Sequence, residues 1–289
     1  MNFADNKSGG AHSNLQSSGR LAVLGCGKMG TILLQAFLQK GLVSRENVIA
    51  TVQHEERAKT ISKQMGITVG TDNRAAVSEA STALVCVKPQ TMSQLLDEIS
   101  PALRPDALVI SIVASAPVKF IQQRLGNNKA VLRAMPNTPA SVGAAMTAIA
   151  TGSHAGPAHL SLAKQMFESI GRVAVVDEKH MDAVTALSAS GPAFVFVILE
   201  SMAEAGVKVG LPRELATLLA AQTMFGSAQL ALETGHHPAL LKDAVTTPAG
   251  CTIDGIMELE KGGLRVTIMS AIVKATQRAR ELMSEPVSS

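Results

Sequence analysis

Short apolar runs alternate with helical patterns along the first half of the chain. The runs typical of strands lie at 21–24, 48–52, 68–70, 83–87, 108–113, 130–133, 145–150 and 173–176. Between them, apolar residues recur at helical spacing at 28–40, 54–65, 89–99 and 117–125. Strands that alternate with helices predict an α/β domain with a parallel, doubly wound sheet, which we place over residues 20–176.

The pattern changes after this point. Helical periodicity occupies 179–189, 192–208, 212–234, 238–245, 252–261 and 264–284, so residues 177–289 are predicted to form an all-α domain. The segment 193–199 is apolar on every side, and 215–221 is nearly so. A helix of this kind must be buried all round, which a domain of this size does not easily achieve alone. We therefore predict a homodimer that packs through these helices; the alternative is a monomer with an unusually apolar core.

Composition argues against several classes of partner. The net charge is +3 and the basic residues do not cluster, so nucleic acid is not expected. The aromatic residues are seven Phe, with no Tyr and no Trp, which removes most stacking platforms for bases. Cys26, Cys86 and Cys251 are far apart and the seven His lack zinc-site spacing, so no metal site is expected.

The same features favour a cytoplasmic protein. Cysteines without a pairing pattern are typical of a reducing compartment. No apolar stretch is seen to reach the ~20 residues that cross a bilayer, so no membrane partner is expected. Residues 1–19 are polar and rich in Gly, Ser and Asn, without the apolar core of a signal peptide, and we predict a disordered leader there.

A glycine-rich turn follows the first predicted strand. Residues 25–30 read GCGKMG, the spacing of a dinucleotide-binding turn between a strand and a helix. In such a turn Gly25 allows the tight bend, Gly27 lets the backbone approach the pyrophosphate, and Gly30 lets helix and strand pack closely. We therefore predict a Rossmann dinucleotide-binding domain; the alternative is a turn with packing duties only.

The end of the second strand indicates which nicotinamide cofactor is bound. An Asp or Glu there binds the ribose 2′-hydroxyl and favours NAD. Residues 51–54 read TVQH instead, and Thr51 and Arg57 are suited to a 2′-phosphate, so the sequence favours NADPH, with NAD possible. At the end of the fourth strand, Pro89 makes a stiff turn that places Lys88 either near the cofactor or in solvent.

Two loops of the helical half combine small and hydroxyl residues and lead into helices. They are 187–193, which reads LSASGPA, and 245–253, which reads VTTPAGCTI. Backbone N–H groups in such loops can bind a carboxylate. The alternative is ordinary helix capping by the side chains of Ser190 and Thr252.

With these segments the chain resembles the pyrroline-5-carboxylate reductases over nearly all of residues 20–284. The matching segments are GCGKMG (25–30), VKPQ (87–90), RAMPNTPA (133–140), DAVTALSASGPAF (182–194), GVKVGLPREL (206–215) and HPALLKDAVTTPAGCTIDGIMELEKGG (237–263). The resemblance implies hydride transfer from NAD(P)H to the cyclic imine carboxylate 1-pyrroline-5-carboxylate, which makes L-proline. It also implies intertwined homodimers, which in this family often assemble into larger rings such as a decamer of five dimers.

The resemblance further implies roles for particular residues. Gly250, Cys251 and Thr252 would hold the substrate carboxylate and ring nitrogen, with the Thr252 hydroxyl as the catalytic donor or orienting group. Glu178 matches a family position near the substrate. The implied cofactor contacts are Leu24, Gly25, Cys26, Gly27, Lys28, Met29, Thr51, Asn73, Cys86, Val87, Lys88, Pro89 and Ala114.

Several positions depart from the family pattern. Ala249 stands where the family usually has the first of two glycines, so its Cβ is expected to narrow the carboxylate loop. Ala189 and Phe194 stand where Gly and Tyr are common, so a phenol hydroxyl contact is absent. Cys251 replaces a small Thr or Ala and, without a partner His, is interpreted as a packing residue rather than a nucleophile.

Other functions fit part of the pattern. A β-hydroxyacid reductase usually needs a lysine on an interdomain helix, and neither Lys179 nor Lys208 lies in such a motif. A reductase of another cyclic imine shares the same features. A non-catalytic NADP-sensing regulator would keep the glycine turn but would not need the hydroxyl-rich loop at 246–252.

Overall fold

The computed structural model describes residues 19–284, so residues 1–18 of the predicted leader lie outside the described residues. The described chain divides into two compact units. Unit 1 contains residues 19–189 and 279–284, and unit 2 is Ser190–Arg278. This division falls later than the change of sequence pattern at residue 177, because the helical turns that begin at Glu178 pack on the sheet through Met181.

Unit 1 is built on one eight-stranded sheet with the order β3-β2-β1-β4-β5-β6-β7-β8. Its strands are β1 (Arg20–Leu24), β2 (Val48–Thr51), β3 (Thr68–Gly70), β4 (Ala80–Val85), β5 (Leu108–Ser111), β6 (Ala130–Met135), β7 (Ala145–Thr151) and β8 (Gly171–Val175). Strands β1 to β6 pair in parallel, and the strand order reverses between β1 and β4. Open α/β sheets bind ligands outside the carboxyl ends of the strands at such a point.

One pairing differs from the predicted all-parallel sheet. Strand β7 runs antiparallel to β6, and β8 then pairs in parallel with β7. The segment between β6 and β7 contains only the short 3-10 turn Thr138–Val142. A parallel connection needs a crossover of a dozen or more residues, usually a helix, so this short segment permits only the antiparallel pairing.

Helices cover both faces of the sheet. They are α1 (Lys28–Gln39), α2 (Glu55–Met65), α3 (Asn73–Ser78), α4 (Met92–Ile99), α5 (Val118–Leu125) and α6 (Pro157–Glu168). Because successive strand residues face opposite sides, Val23 and Leu24 belong to two different buried clusters. The sequence pattern missed α3 and α6; the segment before α6 is rich in Gly and looks like a loop, and Pro157 is tolerated because it lies in the first turn.

Helical turns complete unit 1 and form all of unit 2. Unit 1 ends in a 3-10 turn (Glu178–His180), α7 (Met181–Val184) and a π-helical turn (Thr185–Ala189). The helices that follow are α8 (Gly191–Lys208), α9 (Arg213–Thr234), α10 (Pro238–Val245), α11 (Cys251–Lys261) and α12 (Leu264–Ser284). Every residue of unit 2 is described and none lies in a strand, as the sequence predicted.

Helices α8 and α9 leave large apolar side chains uncovered. Phe196 is 60% exposed, Leu218 is 64% exposed and Phe225 is 60% exposed. The helical segments Glu178–Lys208 and Arg213–Thr234 are long and apolar enough, by length and composition, to cross a membrane. The expectation that no stretch reaches this length was wrong, because it counted uninterrupted apolar runs, whereas mean hydropathy over a helix tolerates isolated charges.

Candidate active site

The glycine turn lies between β1 and α1, where the strand order of the sheet reverses. Gly25 has a φ of +80°, and a Cβ there would lie 2.5 Å from Cγ1 of Val87. A Cβ on Gly30 would lie 3.1 Å from the Cβ of Cys86, so this glycine permits close packing of α1. The Cβ position of Gly27 has no atom nearer than 3.9 Å. The space over Gly27 therefore fits the approach of a pyrophosphate.

The first turn of α1 is suited to bind an anion. Gly27 is the N-cap, and the helix begins at Lys28, followed by Met29. No side chain caps the free N–H groups of this first turn. The first turn also contains no acidic residue. Unpaired N–H groups and the helix dipole together favour a negatively charged group at this position.

Backbone hydrogen bonds join the ends of three strands around this turn. The N–H of Cys26 donates to the carbonyl of Thr51 at 2.7 Å, and the N–H of Cys86 donates to the carbonyl of Leu24 at 2.8 Å. The side chains of Leu24 and Cys26 are fully buried, so these residues can offer a ligand only backbone groups. Burial raises the pKa of the Cys26 and Cys86 thiols, which stay protonated near neutral pH and are unsuited to act as nucleophiles.

A hydrogen-bond chain connects two of the predicted cofactor contacts. Oγ1 of Thr51 donates to Oδ1 of Asn73 at 2.7 Å, and Nδ2 of Asn73 donates to the two carboxylate oxygens of Glu98 at 3.2 and 3.1 Å. Glu98 on α4 thus holds the amide of Asn73. Glu98 was not predicted from the sequence, because it lies 25 positions from Asn73 and its local pattern is that of an ordinary amphipathic helix.

The remaining predicted cofactor residues also follow strand ends. Lys88 is exposed, directly before the 3-10 turn that Pro89 begins, and Ala114 is partly buried after β5. Arg57, in the first turn of α2, is exposed, and no acidic side chain in the described part of the chain pairs with it. All the predicted cofactor contacts therefore leave the carboxyl ends of β1 to β5, which is where a dinucleotide binds such a sheet.

Glu178 has a structural role besides the substrate contact predicted for it. Its Oε1 accepts a hydrogen bond from Nη1 of Arg133 at 3.1 Å and another from the N–H of Val118 at 2.6 Å. The side chain of Arg133 is 3% exposed, and its Nε and Nη2 atoms are buried without a hydrogen-bond partner in the structure. The carboxylate of Glu178 therefore both caps α5 and neutralises a buried guanidinium.

The hydroxyl-rich loop of unit 2 connects α10 to α11. Gly250 is the N-cap of α11, the helix starts at Cys251, and no side chain caps it. Ser190 precedes α8 but its side chain makes no capping bond either. The capping roles considered for Ser190 and Thr252 are therefore not observed. The free N–H groups at the start of α11 are suited to a carboxylate, with Cys251 exposed and Thr252 half-buried beside them.

The departure at Ala249 is visible in the backbone. Ala249 has a φ of +57°, a left-handed conformation that costs an L-residue roughly 1–2 kcal/mol. Gly250 has an ordinary φ of −82°, but a Cβ there would lie 2.3 Å from Oγ1 of Thr247. Position 250 therefore needs glycine, because a side chain would not fit there. Position 249 accepts alanine at a cost in backbone strain.

In the part of the chain that the structure describes, no three side chains of the types His, Cys, Asp and Glu come together as a metal ion would require.

Comparison with known proteins identifies both parts of the chain. Residues 178–282 match the family of pyrroline-5-carboxylate reductase dimerisation domains, and residues 20–115 match the family of coenzyme F420-dependent NADP oxidoreductases. The pyrroline-5-carboxylate reductase of Methanosarcina acetivorans is 43% identical over 91% of this chain and 97% of its own length. That of Escherichia coli is 34% identical over 91% of this chain and 98% of its own length.

Solved structures agree with this result. The crystal structure of the Plasmodium falciparum pyrroline carboxylate reductase with NADP bound has a TM-score of 0.84 and 28% identity. The match covers 91% of this chain and 98% of that one. The Rossmann domain and the helical dimerisation domain predicted from the sequence are thus confirmed. Since relatives at 43% and 34% identity align over almost their whole length, this chain belongs to the pyrroline-5-carboxylate reductase family.

Proposed function

We propose that this chain reduces 1-pyrroline-5-carboxylate to L-proline with NADPH, the last step of proline biosynthesis. The observation that carries the proposal is the uncapped N-terminus of α11 at Gly250–Thr252, within the segment that carries the family's C-terminal signature. A β-hydroxyacid reductase would need a lysine on an interdomain helix, and neither Lys179 nor Lys208 lies in such a motif. A non-catalytic NADP-sensing regulator would not need the loop before α11. The names of the relatives over nearly the full chain support the same substrate.

The cofactor assignment rests on the loops at the ends of β1 to β3. NADPH, when bound, supplies the hydride. The space over Gly27 and the uncapped first turn of α1 suit the pyrophosphate. The exposed Arg57 suits a 2′-phosphate, because no Asp or Glu occupies the end of β2. The buried Thr51 hydroxyl donates to Asn73, so it holds the loop rather than the phosphate. The related Plasmodium falciparum protein was solved with NADP bound, which supports the same choice.

The substrate assignment rests on the loop before α11. The N–H groups of Cys251 and Thr252 are suited to hold the carboxylate, and the Thr252 hydroxyl is suited to donate a hydrogen bond to the ring nitrogen. That nitrogen gains electron density as hydride reaches the neighbouring carbon, so a donor there favours the transition state. A threonine hydroxyl is a poor acid, so the proton comes from solvent or from substrate already in its iminium form.

The proposal is tested by incubating the purified protein with 1-pyrroline-5-carboxylate and either NADPH or NADH. Loss of nicotinamide absorbance, with proline as the product, is the expected result, and kcat/KM is expected to be higher with NADPH. A larger cyclic imine assayed in parallel distinguishes the ring size. Cofactor binding without turnover of the five-membered imine would contradict the proposed substrate.

Replacing Thr252 with Ala tests the role of its hydroxyl. We expect kcat to fall by an amount equivalent to about 1–3 kcal/mol of transition-state stabilisation, the range for one lost hydrogen bond. The affinity for NADPH is expected to stay unchanged, because the hydroxyl is assigned to the substrate. Thr246→Ala is a matched control, since the Oγ1 of Thr246 is already bonded to the carbonyl of Lys242 at 2.9 Å. Turnover of Thr252→Ala at the unmodified rate would rule out this role.

The exposed apolar faces of α8 and α9 are assigned to a second copy of the chain. Both helices lie within residues 178–282, which match a dimerisation family, so a partner subunit accounts for their exposure without a membrane. We propose that these dimers assemble further, with a decamer of five dimers as the expected form. Sedimentation analysis of the purified protein measures the assembly directly.

We also place the protein in the cytoplasm, since its three cysteines are free thiols, as a reducing compartment requires.

A further inference from the structure

Ser115 has a backbone conformation that serine rarely adopts. Its φ is +61°, and Ala249 is the only other non-glycine residue with a positive φ among residues 19–284. Ser115 lies in the loop between β5 and α5, directly after Ala114. Strained backbone of this kind persists only where surrounding contacts impose it, and it occurs most often where a ligand is held.

Hydrogen bonds from distant parts of the chain impose the conformation of this loop. Oγ of Ser115 donates to the carbonyl of Ala279 in the last part of α12 at 3.1 Å, across 164 positions of sequence. On the far side of the loop, the N–H of Val118 donates to Glu178 at 2.6 Å. At its start, the N–H of Ile112 donates to the carbonyl of Val85 in β4 at 3.0 Å. The loop is thus tied to the sheet, to α12 and to the turn before α7.

We propose that Ser115 is a positioning residue for the nicotinamide cofactor. Its hydroxyl holds the β5–α5 loop in the left-handed turn that presents the backbone of Ala114 at the carboxyl end of β5. This role rests on the proposed function and on the cofactor contact that the family resemblance implies for Ala114. Ser115 itself need not touch the cofactor, because it acts through the conformation of the residue before it.

Two substitutions at Ser115 separate the effect of its hydrogen bond to Ala279 from the effect of its positive φ. Ser115→Ala keeps the Cβ, and with it the cost of the positive φ, but loses the bond to Ala279. We expect the loop to leave the binding conformation part of the time and the apparent Kd for NADPH to rise about fivefold, as loss of one hydrogen bond implies. Ser115→Gly loses the same bond but adopts a positive φ without strain, so its Kd is expected to stay within about twofold of the unmodified protein.

The experiment is a fluorescence titration of NADPH into the full-length protein and its variants, with thermal unfolding measured in parallel. Ser169→Ala is the matched control, because the half-buried Ser169 also donates to a carbonyl, that of Met166 at 2.6 Å. We expect KM for NADPH to rise in Ser115→Ala while kcat and the KM for the imine stay unchanged. A purely structural serine would lower the unfolding temperature of both Ser115 variants and leave Kd unaltered.

The outcomes distinguish this inference from the proposed function. Unaltered NADPH binding by Ser115→Ala, or equally weak binding by Ser115→Ala and Ser115→Gly, contradicts the positioning role alone. Failure of the unmodified protein to bind NADPH contradicts the proposed cofactor and the positioning role together.

Discussion

Replacing Glu178 with Ala is expected to lower the free energy of unfolding by about 2–4 kcal/mol, somewhat less than removing one partner of a fully buried ion pair, because the Glu178 side chain is 33% exposed. The side chain of Arg133 is 3% exposed, and Glu178 is its ion-pair partner in the described structure. Without the carboxylate, a buried charge stays uncompensated and the N–H of Val118 loses its acceptor. Urea denaturation at a single protein concentration measures the change, because dimerisation makes stability depend on concentration.

Two further variants show whether the buried charge is the cause. Glu168→Ala is the control, since its contact with Lys164 spans 3.8 Å between exposed side chains and is expected to contribute about 0.5 kcal/mol or less. Arg133→Met removes the buried charge, so in that background Glu178→Ala is expected to lower the free energy of unfolding by much less than it does in the unmodified protein. Equal costs of Glu178→Ala in both backgrounds would show that the ion pair does not account for the effect.

Replacing Gly27 with Ala is expected to weaken NADPH binding on the order of a hundredfold while leaving stability nearly unchanged. The fold accepts a Cβ at this position, because the nearest atom is 3.9 Å away and φ is −78°. The space that the methyl group fills is the one assigned to the pyrophosphate. Losing one or two charge-assisted hydrogen bonds to phosphate, about 1.5–3 kcal/mol each, accounts for a loss of this size. A titration of NADPH alongside thermal unfolding measures both quantities.

Gly156→Ala is a closely matched control for Gly27→Ala. Gly156 is also the N-cap of a helix, with a φ of −80°, and its Cβ position has no atom within 4 Å. Its substitution is expected to leave NADPH affinity unchanged. Gly25→Ala is the opposite case, because a positive φ and the clash with Val87 are expected to lower stability as well as binding. If Gly27→Ala binds NADPH as tightly as Gly156→Ala does, the pyrophosphate is not held over Gly27.

Much of the architecture could be read from local pattern. The period of the apolar residues indicated the strands of the α/β half and the helices of the α half, because burial on one face leaves a periodic trace in sequence. The strand β7 was predicted, but its antiparallel direction was not, since strand direction depends on the length of the connecting segment rather than on the strand itself. Helix α6 was not predicted, because it starts with Gly156 as the N-cap and Pro157 as its first residue, and Gly and Pro occur both in loops and at helix starts.

The sequence by itself determined the two domain types, the glycine turn at 25–30 and the hydroxyl-rich loop at 246–252, because these depend on contiguous residues. The tertiary structure alone decided which distant residues meet. Glu98 with Asn73, Glu178 with Arg133, and Ser115 with Ala279 are each separated by 25 to 164 positions, and no local pattern marks them. Such pairs arise from how helices and strands pack, since hydrogen-bond partners are chosen by distance in space and not by spacing along the chain.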